Sequence, residues 1–169
     1  MTDRKPGERP TSLQEELKQN RPFPTVSEEA AVALLRAAAL LRRAIAARVE
    51  PHGISPAQYN VLRILRGAGD EGLPTLAVRD RLVEEAPGIT RLIDKLEDAG
   101  HVRRDRTGRD RRTVRCRITA KGTELLAEID VLNTQSADLI ATGLPDIAEQ
   151  QLLVDLLAKV RAGLHRLAT

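Results

Sequence analysis

The spacing of hydrophobic residues along the chain predicts mostly helices, with one break in the middle. Over residues 27 to about 49, apolar residues recur at the spacing of an α-helix and form one stripe: Leu34, Ala38, Leu41, Ile45 and Val49. Three neighbours widen that stripe: Leu35, Ala39 and Leu40. A helix that is apolar over so much of its circumference is expected to be buried on more than one side.

Three helices should follow, because prolines and glycines divide the next part of the chain into helical blocks. Ser55 and Pro56 suit the N-cap and first position of a helix that extends to about residue 66. Two shorter helices are predicted over residues 75–82 and 87–99, and Gly100 ends the second. The positions expected in the core are Tyr59, Leu62, Leu65, Ile89, Leu92, Ile93 and Leu96.

The hydrophobic period then changes from helical to alternating. Over residues 113–118, polar residues alternate with three apolar ones, Val114, Cys116 and Ile118. A matching strand begins at Val102, and Thr107-Gly108 suits the turn between the two strands. A β-hairpin is therefore predicted here.

Two further helices complete the pattern. Thr119 suits the N-cap of a long helix to about residue 142, where Gly143 and Pro145 interrupt the chain. The last helix carries a near-heptad apolar stripe: Leu153, Leu156, Leu157, Val160, Leu164 and Leu167. At the other end, residues 1–24 contain four prolines and form a predicted arm, within which Ser12 and Glu15 match a capping box. The predicted fold class is mainly α with a small β-hairpin.

Two short helices followed by a basic hairpin are the arrangement of a winged helix-turn-helix. In that arrangement the second helix enters the major groove of DNA, and the hairpin (the wing) follows the backbone towards the minor groove. The chain has 27 lysines and arginines against 24 acidic residues, so its net charge alone does not indicate a nucleic-acid partner. Eight arginines lie between residues 103 and 117, however, opposed only by Asp105 and Asp110. This concentration predicts contact with double-stranded DNA.

Three blocks of the sequence resemble the multiple antibiotic resistance regulator (MarR) family, and the spacing between them also matches. Residues 90–104 (TRLIDKLEDAGHVRR) resemble its recognition helix running into the first strand of the wing. Residues 110–112 (DRR) resemble its wing signature, and residues 118–122 (ITAKG) resemble the start of the helix after the wing. Residues 55–58 (SPAQ) resemble the start of a preceding helix. The likeness is densest over residues 55–126.

The resemblance implies a winged helix-turn-helix joined to a helical dimerisation region. Residues 51–118 would be the DNA-binding domain, residues 25–50 and 119–169 the dimerisation region, and residues 1–24 the arm. The terminal helices have more apolar surface than one small chain needs, which also favours a two-fold homodimer. Such a dimer places two recognition helices about 34 Å apart, suited to a pseudo-palindromic operator. In the family, a small-molecule effector or an oxidant acts at the junction of these regions and lowers DNA affinity.

On the predicted recognition helix, the helical period places Pro87, Thr90, Arg91, Asp94 and Lys95 outward. Arg91 is best suited to bind a guanine edge with both arms of its guanidinium. Thr90 suits a thymine methyl group or a phosphate, and Lys95 suits a phosphate. Asp94 is expected to pair with a basic neighbour instead. The predicted DNA-binding residues of this helix are Pro87, Thr90, Arg91 and Lys95.

The predicted wing contributes Arg109, Asp110, Arg111 and Arg112 to the same interface. The resemblance implies that Arg112 enters the minor groove, with Arg109 and Arg111 as alternatives at the tip. Asp110 is expected to order the wing by pairing with a neighbouring arginine.

The sequence indicates no enzyme, metal site or cofactor. It has no Gly-rich phosphate loop, nucleophile elbow or paired-carboxylate motif, and His52, His101 and His165 lack metal-ligand spacing. Cys116 could be a redox sensor, but its inward position in a strand favours a buried, inert thiol. With no signal peptide and no long apolar stretch, we expect a soluble, cytoplasmic protein with no membrane partner.

The sequence therefore predicts a homodimeric transcription regulator, a repressor, whose DNA affinity falls when a small molecule or an oxidant acts on it. Two other classes compete with this interpretation. A sequence-tolerant architectural DNA binder would show little preference between sites. A helical protein-interaction module would not need Arg91, Asp110 and Arg112, and the presence of all three argues against it.

Overall fold

The computed structural model of the protein describes residues 12–84, 88–105, 114–135 and 139–168. These residues are mostly helical and include a small antiparallel sheet. The chain divides into two compact units, Met1–Arg43 and Ala44–Thr169. Pro87 and the predicted wing residues Arg109, Asp110, Arg111 and Arg112 lie outside the described residues.

The first unit contains helix α1, Leu13–Glu16, and most of helix α2, Val26–Val49. The Ser12 hydroxyl accepts from the Glu15 N–H at 3.2 Å, and the Glu15 carboxylate accepts from the Ser12 N–H at 3.1 Å. This is the capping box that the sequence predicts. Arg36 then donates from its Nε to Oε1 of Glu16 at 2.7 Å. The short helix of the arm is thereby tied to α2.

Helix α2 keeps much of its wide apolar stripe in contact with solvent in the single chain. Leu34, Leu35, Leu40 and Leu41 are 37–69% exposed, and Val49 is the buried residue of the helix. Among the described residues, the expected burial of this helix on more than one side is therefore not seen. Side chains of this kind need a further apolar surface to cover them.

The second unit contains the remaining elements. They are helix α3 Pro56–Gly67, strand β1 Leu73–Pro74, helix α4 Thr75–Arg79, helix α5 Ile89–Asp98, strands β2 Val102–Asp105 and β3 Arg115–Ile118, and helices α6 Ala120–Gln135 and α7 Ile147–Ala168. Short 3₁₀ turns at Glu50–His52 and Gly69–Glu71 flank α3. Ser55 caps α3 with a second capping box, to which Gln58 contributes. Pro56 occupies the first helical position, as predicted.

Strand β3 is the centre of the three-stranded sheet, with β1 and β2 antiparallel on either side. Val102 pairs with Ile118, and Leu73 pairs with Cys116. Strand β1 has two residues, too few for the alternating pattern that predicts a strand. Gly72 precedes it with φ +60°, and a Cβ there would lie 2.5 Å from the carbonyl oxygen of Cys116. A glycine is therefore needed for β1 to approach β3.

The core of the second unit lies where α3, α5 and α6 meet. The residues with no solvent exposure include Val61, Leu62 and Leu65 of α3, Ile93 and Leu96 of α5, and Leu126 and Ile129 of α6. Burying one such side chain completely is worth about 1.5–3 kcal/mol. Most of the predicted core positions are confirmed, whereas Leu92 is half-buried and packs against the edge of the core.

Two predicted helices end earlier than expected. Helix α6 reaches Gln135, and residues 139–143 form turns in which the Gly143 N–H donates to the Ile140 carbonyl at 3.0 Å. Helix α4 ends at Arg79, because the N–H groups of Arg81 and Leu82 bond to carbonyls three residues back.

Candidate nucleic-acid interface

Helix α5 is amphipathic, and its polar face carries the predicted base-reading residues. Ile93 and Leu96 have no solvent exposure, and Ile89 is 7% exposed. Thr90, Arg91 and Lys95 lie on the opposite face and are all exposed. Because one face is fixed in the core, the side chains of the other face project from a rigid support.

Both ends of α5 are stopped by glycines in the left-handed region. Gly88 precedes the helix with φ +90° and Gly100 follows it with φ +76°. At the C-terminus the His101 N–H donates to the Leu96 carbonyl, and the Gly100 N–H donates to the Glu97 carbonyl, both at 2.8 Å. This is a Schellman motif, and it confirms that Gly100 ends the helix.

Arg104, in strand β2, fixes α5 to the sheet. Its guanidinium lies 2.6 Å from Oδ1 of Asp94 and 2.6 Å from Oε2 of Glu97, and its Nη2 also donates to the Thr90 carbonyl at 3.3 Å. Its backbone N–H donates to Oε1 of Glu97 at 2.9 Å. Burial alone lowers the pKa of Arg104, but the hydrogen bonds to Asp94 and Glu97 outweigh it and raise that pKa. The expectation that Asp94 pairs with a basic neighbour is confirmed.

The start of α6 holds the C-terminus of α5. The Thr119 hydroxyl donates to the Gly100 carbonyl, and Lys121 Nζ donates to the Ala99 carbonyl, both at 2.8 Å. These are carbonyls that a helix end leaves without helical partners, and a lysine there also suits the helix dipole. The Gly122 N–H donates to Oγ1 of Thr119 at 3.1 Å, so Thr119 caps α6 as predicted.

The close approach of the start of α6 to His101 requires a glycine at position 122, because a side chain would have no room there. A Cβ at this position would collide with the carbonyl oxygen of His101 and lie 2.8 Å from Cγ1 of Ile118.

His101 Nδ1 is buried, with no hydrogen-bond partner among the described residues. Burial lowers the pKa of His101, and the nearby ammonium of Lys121 lowers it further.

The described part of the wing consists of its two strands. Asp105 of β2 lies between two arginines, with its Oδ2 3.4 Å from Nε of Arg117 and 4.0 Å from Nε of Arg103. Cys116 has no solvent exposure, which confirms its predicted burial, and its sulfur lies 3.6 Å from Oγ1 of Thr75.

The chain is similar to known transcriptional regulators. The MarR family model matches residues 52–113. The uncharacterized HTH-type transcriptional regulator YkoM of Bacillus subtilis (strain 168) is 36% identical over 115 residues, which are 68% of this chain and 71% of YkoM. The chain belongs to the MarR family. The resemblance of the three sequence blocks is thereby confirmed.

Solved structures share this fold, among them one of a MarR transcription factor. A MarR transcription factor from Planctomyces limnophilus is 32% identical, covers 86% of this chain and 97% of its own, and has a TM-score of 0.57. NadR in complex with 4-hydroxyphenylacetate is 25% identical, covers 83% of this chain and 97% of its own, and has a TM-score of 0.65. This MarR-family protein is a DNA-binding transcriptional regulator with a winged helix-turn-helix, and it is not an enzyme.

In this MarR-family fold, α4 and α5 form the helix-turn-helix, and β2 and β3 begin the wing. The structure brings Thr90, Arg91 and Lys95 together on one helix face. Within the described segments, no three His, Cys, Asp or Glu side chains are placed to hold a metal ion. In the same segments, no helix has the length and hydrophobicity to span a bilayer.

Sequence reasoning missed the residues that position the recognition helix. In the sequence, Arg104 belongs to the basic cluster and to the block that resembles the recognition helix and first wing strand, and Lys121 belongs to the motif after the wing. None of these patterns predicts a positioning role. Neither role has a local signal in the sequence. Lys121 lies 22 positions after Ala99, whose carbonyl it binds. The partners of Arg104, Asp94 and Glu97, lie across a turn in another element.

Proposed function

We propose that the protein binds a pseudo-palindromic operator as a homodimer, represses transcription there, and releases DNA when a small molecule binds. The observation that carries this proposal is the exposed face of α5. Thr90, Arg91 and Lys95 project from a helix that is held by the core, by Arg104 and by the start of α6. Such preorganised side chains suit base and phosphate contacts in the major groove.

The terminal helices support the homodimer. In the single chain, one set of α7 side chains is 43–85% exposed: Leu152, Leu156, Val160, Leu164 and Leu167. They recur every three or four residues and therefore share one face of the helix. Helix α2 exposes leucines of its own, as described above. A second copy of the chain would cover such surfaces in a two-fold arrangement.

A small molecule is a better candidate signal than oxidation of the cysteine. NadR, whose structure is similar to this fold, was crystallised in complex with 4-hydroxyphenylacetate. Cys116 is fully buried, and oxidants act most readily on exposed thiols with a low pKa. A ligand lowers DNA affinity if it binds more tightly to the form that does not fit the operator.

Repression follows most directly from occupancy of the operator. A dimer whose two recognition helices bind half-sites about one DNA turn apart blocks other proteins from the same site, and ligand binding then relieves the block. The protein would carry out this role in the cytoplasm, where bacterial promoters are read.

The proposal can be tested by selecting binding sites from random duplex DNA with the full-length protein. We expect to recover two inverted half-sites about 34 Å apart. Recovery of no preferred sequence despite tight binding would indicate an architectural binder. Failure to bind any duplex would indicate an interaction module. Either result would contradict the proposed function.

A further inference from the structure

His101 lies where helix α5, strand β2 and helix α6 meet. It is the single residue between Gly100, which ends α5, and Val102, which begins β2. Its N–H donates to the Leu96 carbonyl at 2.8 Å, and its carbonyl accepts from the Thr119 N–H at 3.0 Å. The backbone of this one residue therefore connects the C-terminus of α5 to the start of α6.

The contacts around residue 101 leave it little room to move without disturbing α5. The backbone of Gly122 packs directly against the His101 carbonyl, so closely that a Cβ there would collide with the oxygen. Beside it, the Thr119 hydroxyl and Lys121 Nζ bind the last carbonyls of α5. A displacement of His101 would therefore break or weaken the hydrogen bonds that hold the end of this helix.

The ring of His101 suits this place only in its neutral form. Its Nδ1 is buried and has no hydrogen-bond partner among the described residues. A neutral imidazole can leave one nitrogen without a proton, whereas an imidazolium carries a proton on both. Protonation would therefore place a charged donor in a buried position that offers it no acceptor, which is unfavourable.

The charges near His101 also oppose a proton. Burial lowers the pKa of His101 most, the ammonium of Lys121 lowers it further, and a hydrogen bond with the backbone of Lys121 acts in the opposite direction. Two acids of α5, Asp94 and Glu97, pair with Arg104 of β2 instead. The other charged side chains close to His101 in sequence or at the start of α6 are exposed: Asp98, Arg103 and Glu124.

We propose that proton binding at His101 releases the protein from DNA in mildly acidic solution. The protonated ring would turn towards solvent and residue 101 would move with it, so the C-terminus of α5 would lose its hydrogen bonds to α6. Thr90, Arg91 and Lys95 would then project from a helix that is no longer fixed. The proton is a signal separate from the small molecule of the proposed function. The inference rests on the reading of DNA by α5 that the proposed function assigns.

The direction of this effect distinguishes it from ordinary electrostatics. A proton bound near DNA phosphates normally strengthens binding, because it adds positive charge to the protein. Release in acid requires a site whose proton is disfavoured in the form that binds DNA. By linkage, DNA would lower the pKa of His101 by the same factor by which the proton weakens DNA binding.

The test compares DNA affinity at about pH 7.5 and about pH 5.5, on either side of the usual histidine pKa. The full-length protein is titrated with a duplex recovered by the selection described above, and the ratio of the two affinities is taken for each variant. We expect acid to weaken binding by the unmodified protein at least about fourfold more than by His101→Gln, since each protomer of the proposed dimer must lose a proton. His52→Gln and His165→Gln remove the other two histidines and are the matched controls. Both should keep the ratio of the unmodified protein.

A second measurement uses the unmodified protein and so does not depend on the folding of His101→Gln. The ring resonances of the three histidines can be followed by NMR against pH, and the spectra of His52→Gln and His165→Gln identify those of His101. We expect His101 to titrate at a lower pH when the selected duplex is bound than when the protein is free.

Three results would overturn the inference while leaving the proposed function intact. An equal affinity ratio for His101→Gln and the unmodified protein would show that the ring leaves its place without moving α5. Loss of the acid response in His52→Gln or His165→Gln would assign it to another histidine. A rise in the pKa of His101 on DNA binding would show that the phosphates stabilise the proton. Failure to bind any duplex even at about pH 7.5 would contradict the proposed function, and this inference with it.

Discussion

Arg104 holds Glu97 through both its backbone and its side chain. The Arg104 N–H donates to one carboxylate oxygen of Glu97 at 2.9 Å, and the guanidinium donates to the other at 2.6 Å. The same guanidinium lies 2.6 Å from Asp94. One strand residue therefore pairs with two carboxylates on the helix that exposes Arg91 and Lys95. This relationship links the orientation of the recognition helix to the wing strand.

Arg104→Ala should lower both stability and DNA affinity. Loss of the charged hydrogen bonds should reduce the unfolding free energy by about 1–3 kcal/mol. The loss in DNA-binding free energy should be larger than this loss in unfolding free energy, because Asp94 and Glu97 would be left unpaired near the DNA phosphates. The salt dependence of binding should keep its slope, since Arg104 is not expected to contact a phosphate. Denaturant unfolding and DNA titrations at several salt concentrations measure these effects.

The control for Arg104 is its neighbour in β2. The Arg103 side chain is 63% exposed, and its Nε lies 4.0 Å from Asp105, so Arg103→Ala should cost less than about 1 kcal/mol of stability. Adding Glu97→Gln to Arg104→Ala should restore part of the lost DNA affinity by removing one unpaired charge. A double variant that binds DNA no better than Arg104→Ala would contradict this role of the ion pair.

Gly122→Ala should destabilise the second unit. The new Cβ would collide with the His101 carbonyl, and relief of such overpacking typically costs about 1–3 kcal/mol. Gly67→Ala is the matched control, because Gly67 also lies in a helix but a Cβ there meets open space. It should leave stability unchanged or raise it by up to about 1 kcal/mol. Thermal unfolding of both variants measures the difference, and equal melting temperatures would contradict the close approach at Gly122.

Stability should decrease in mildly acidic solution through His101. The folded state lowers the pKa of His101 below its usual value of 6.5, first by burial and then by the charge of Lys121. The unfolded state therefore binds the proton more readily than the folded state. The contribution of neutral His101 to the free energy of unfolding is present above pH 6.5 and is lost as the pH falls below it. His101→Gln should reduce this pH dependence in denaturant unfolding. An unchanged pH profile would show that His101 is not the group responsible.

Charged substitutions on α7 should separate the proposed dimer. Leu156 and Leu164 are 49% and 57% exposed in the single chain, and Leu156→Glu or Leu164→Glu would place a carboxylate in the proposed interface. Sedimentation at micromolar concentration should show a dimer for the unmodified protein and a shift towards monomer for each variant. Leu76 of α4 is 61% exposed and is the matched control, so Leu76→Glu should remain dimeric. A monomeric unmodified protein would contradict the homodimer.

The parts of the fold that depend on local sequence signals, such as helical spacing and cap residues, could be predicted from the sequence. Helical spacing identified the buried face of α5 through Ile89, Ile93 and Leu96, and cap chemistry identified Ser12 and Ser55 as N-caps. Cap and glycine signals also located the end of α5 at Gly100. These features depend on residues within a few positions of one another, which a single sequence displays.

Features that depend on contacts between distant segments could not be predicted. Strand β1 exists because Leu73 pairs with Cys116 in a distant part of the chain, and two residues have no period of their own. The role of Arg104 depends on the turn that brings β2 beside α5. The bases contacted by Thr90, Arg91 and Lys95 stay predictions, as do the roles of Pro87, Arg109, Asp110, Arg111 and Arg112, which lie outside the described residues.

In the proposed function, α5 reads bases while the wing reads the backbone and groove shape. Arg91→Ala should cost about 1–3 kcal/mol of binding and relax the preference at one position in each half-site, because Arg91 can bind a guanine edge. Arg112→Ala should weaken binding more evenly across sequences and reduce the salt dependence by about one charge per wing.

The decisive measurement is the affinity of these two variants and of the unmodified protein for one selected site and for its single-base changes, at several salt concentrations. We predict that only Arg91→Ala alters base preference and that Arg112→Ala changes chiefly the salt slope. Intact base preference in Arg91→Ala, together with an altered preference at a G·C pair in Arg112→Ala, would contradict the assignment of α5 and the wing to their grooves.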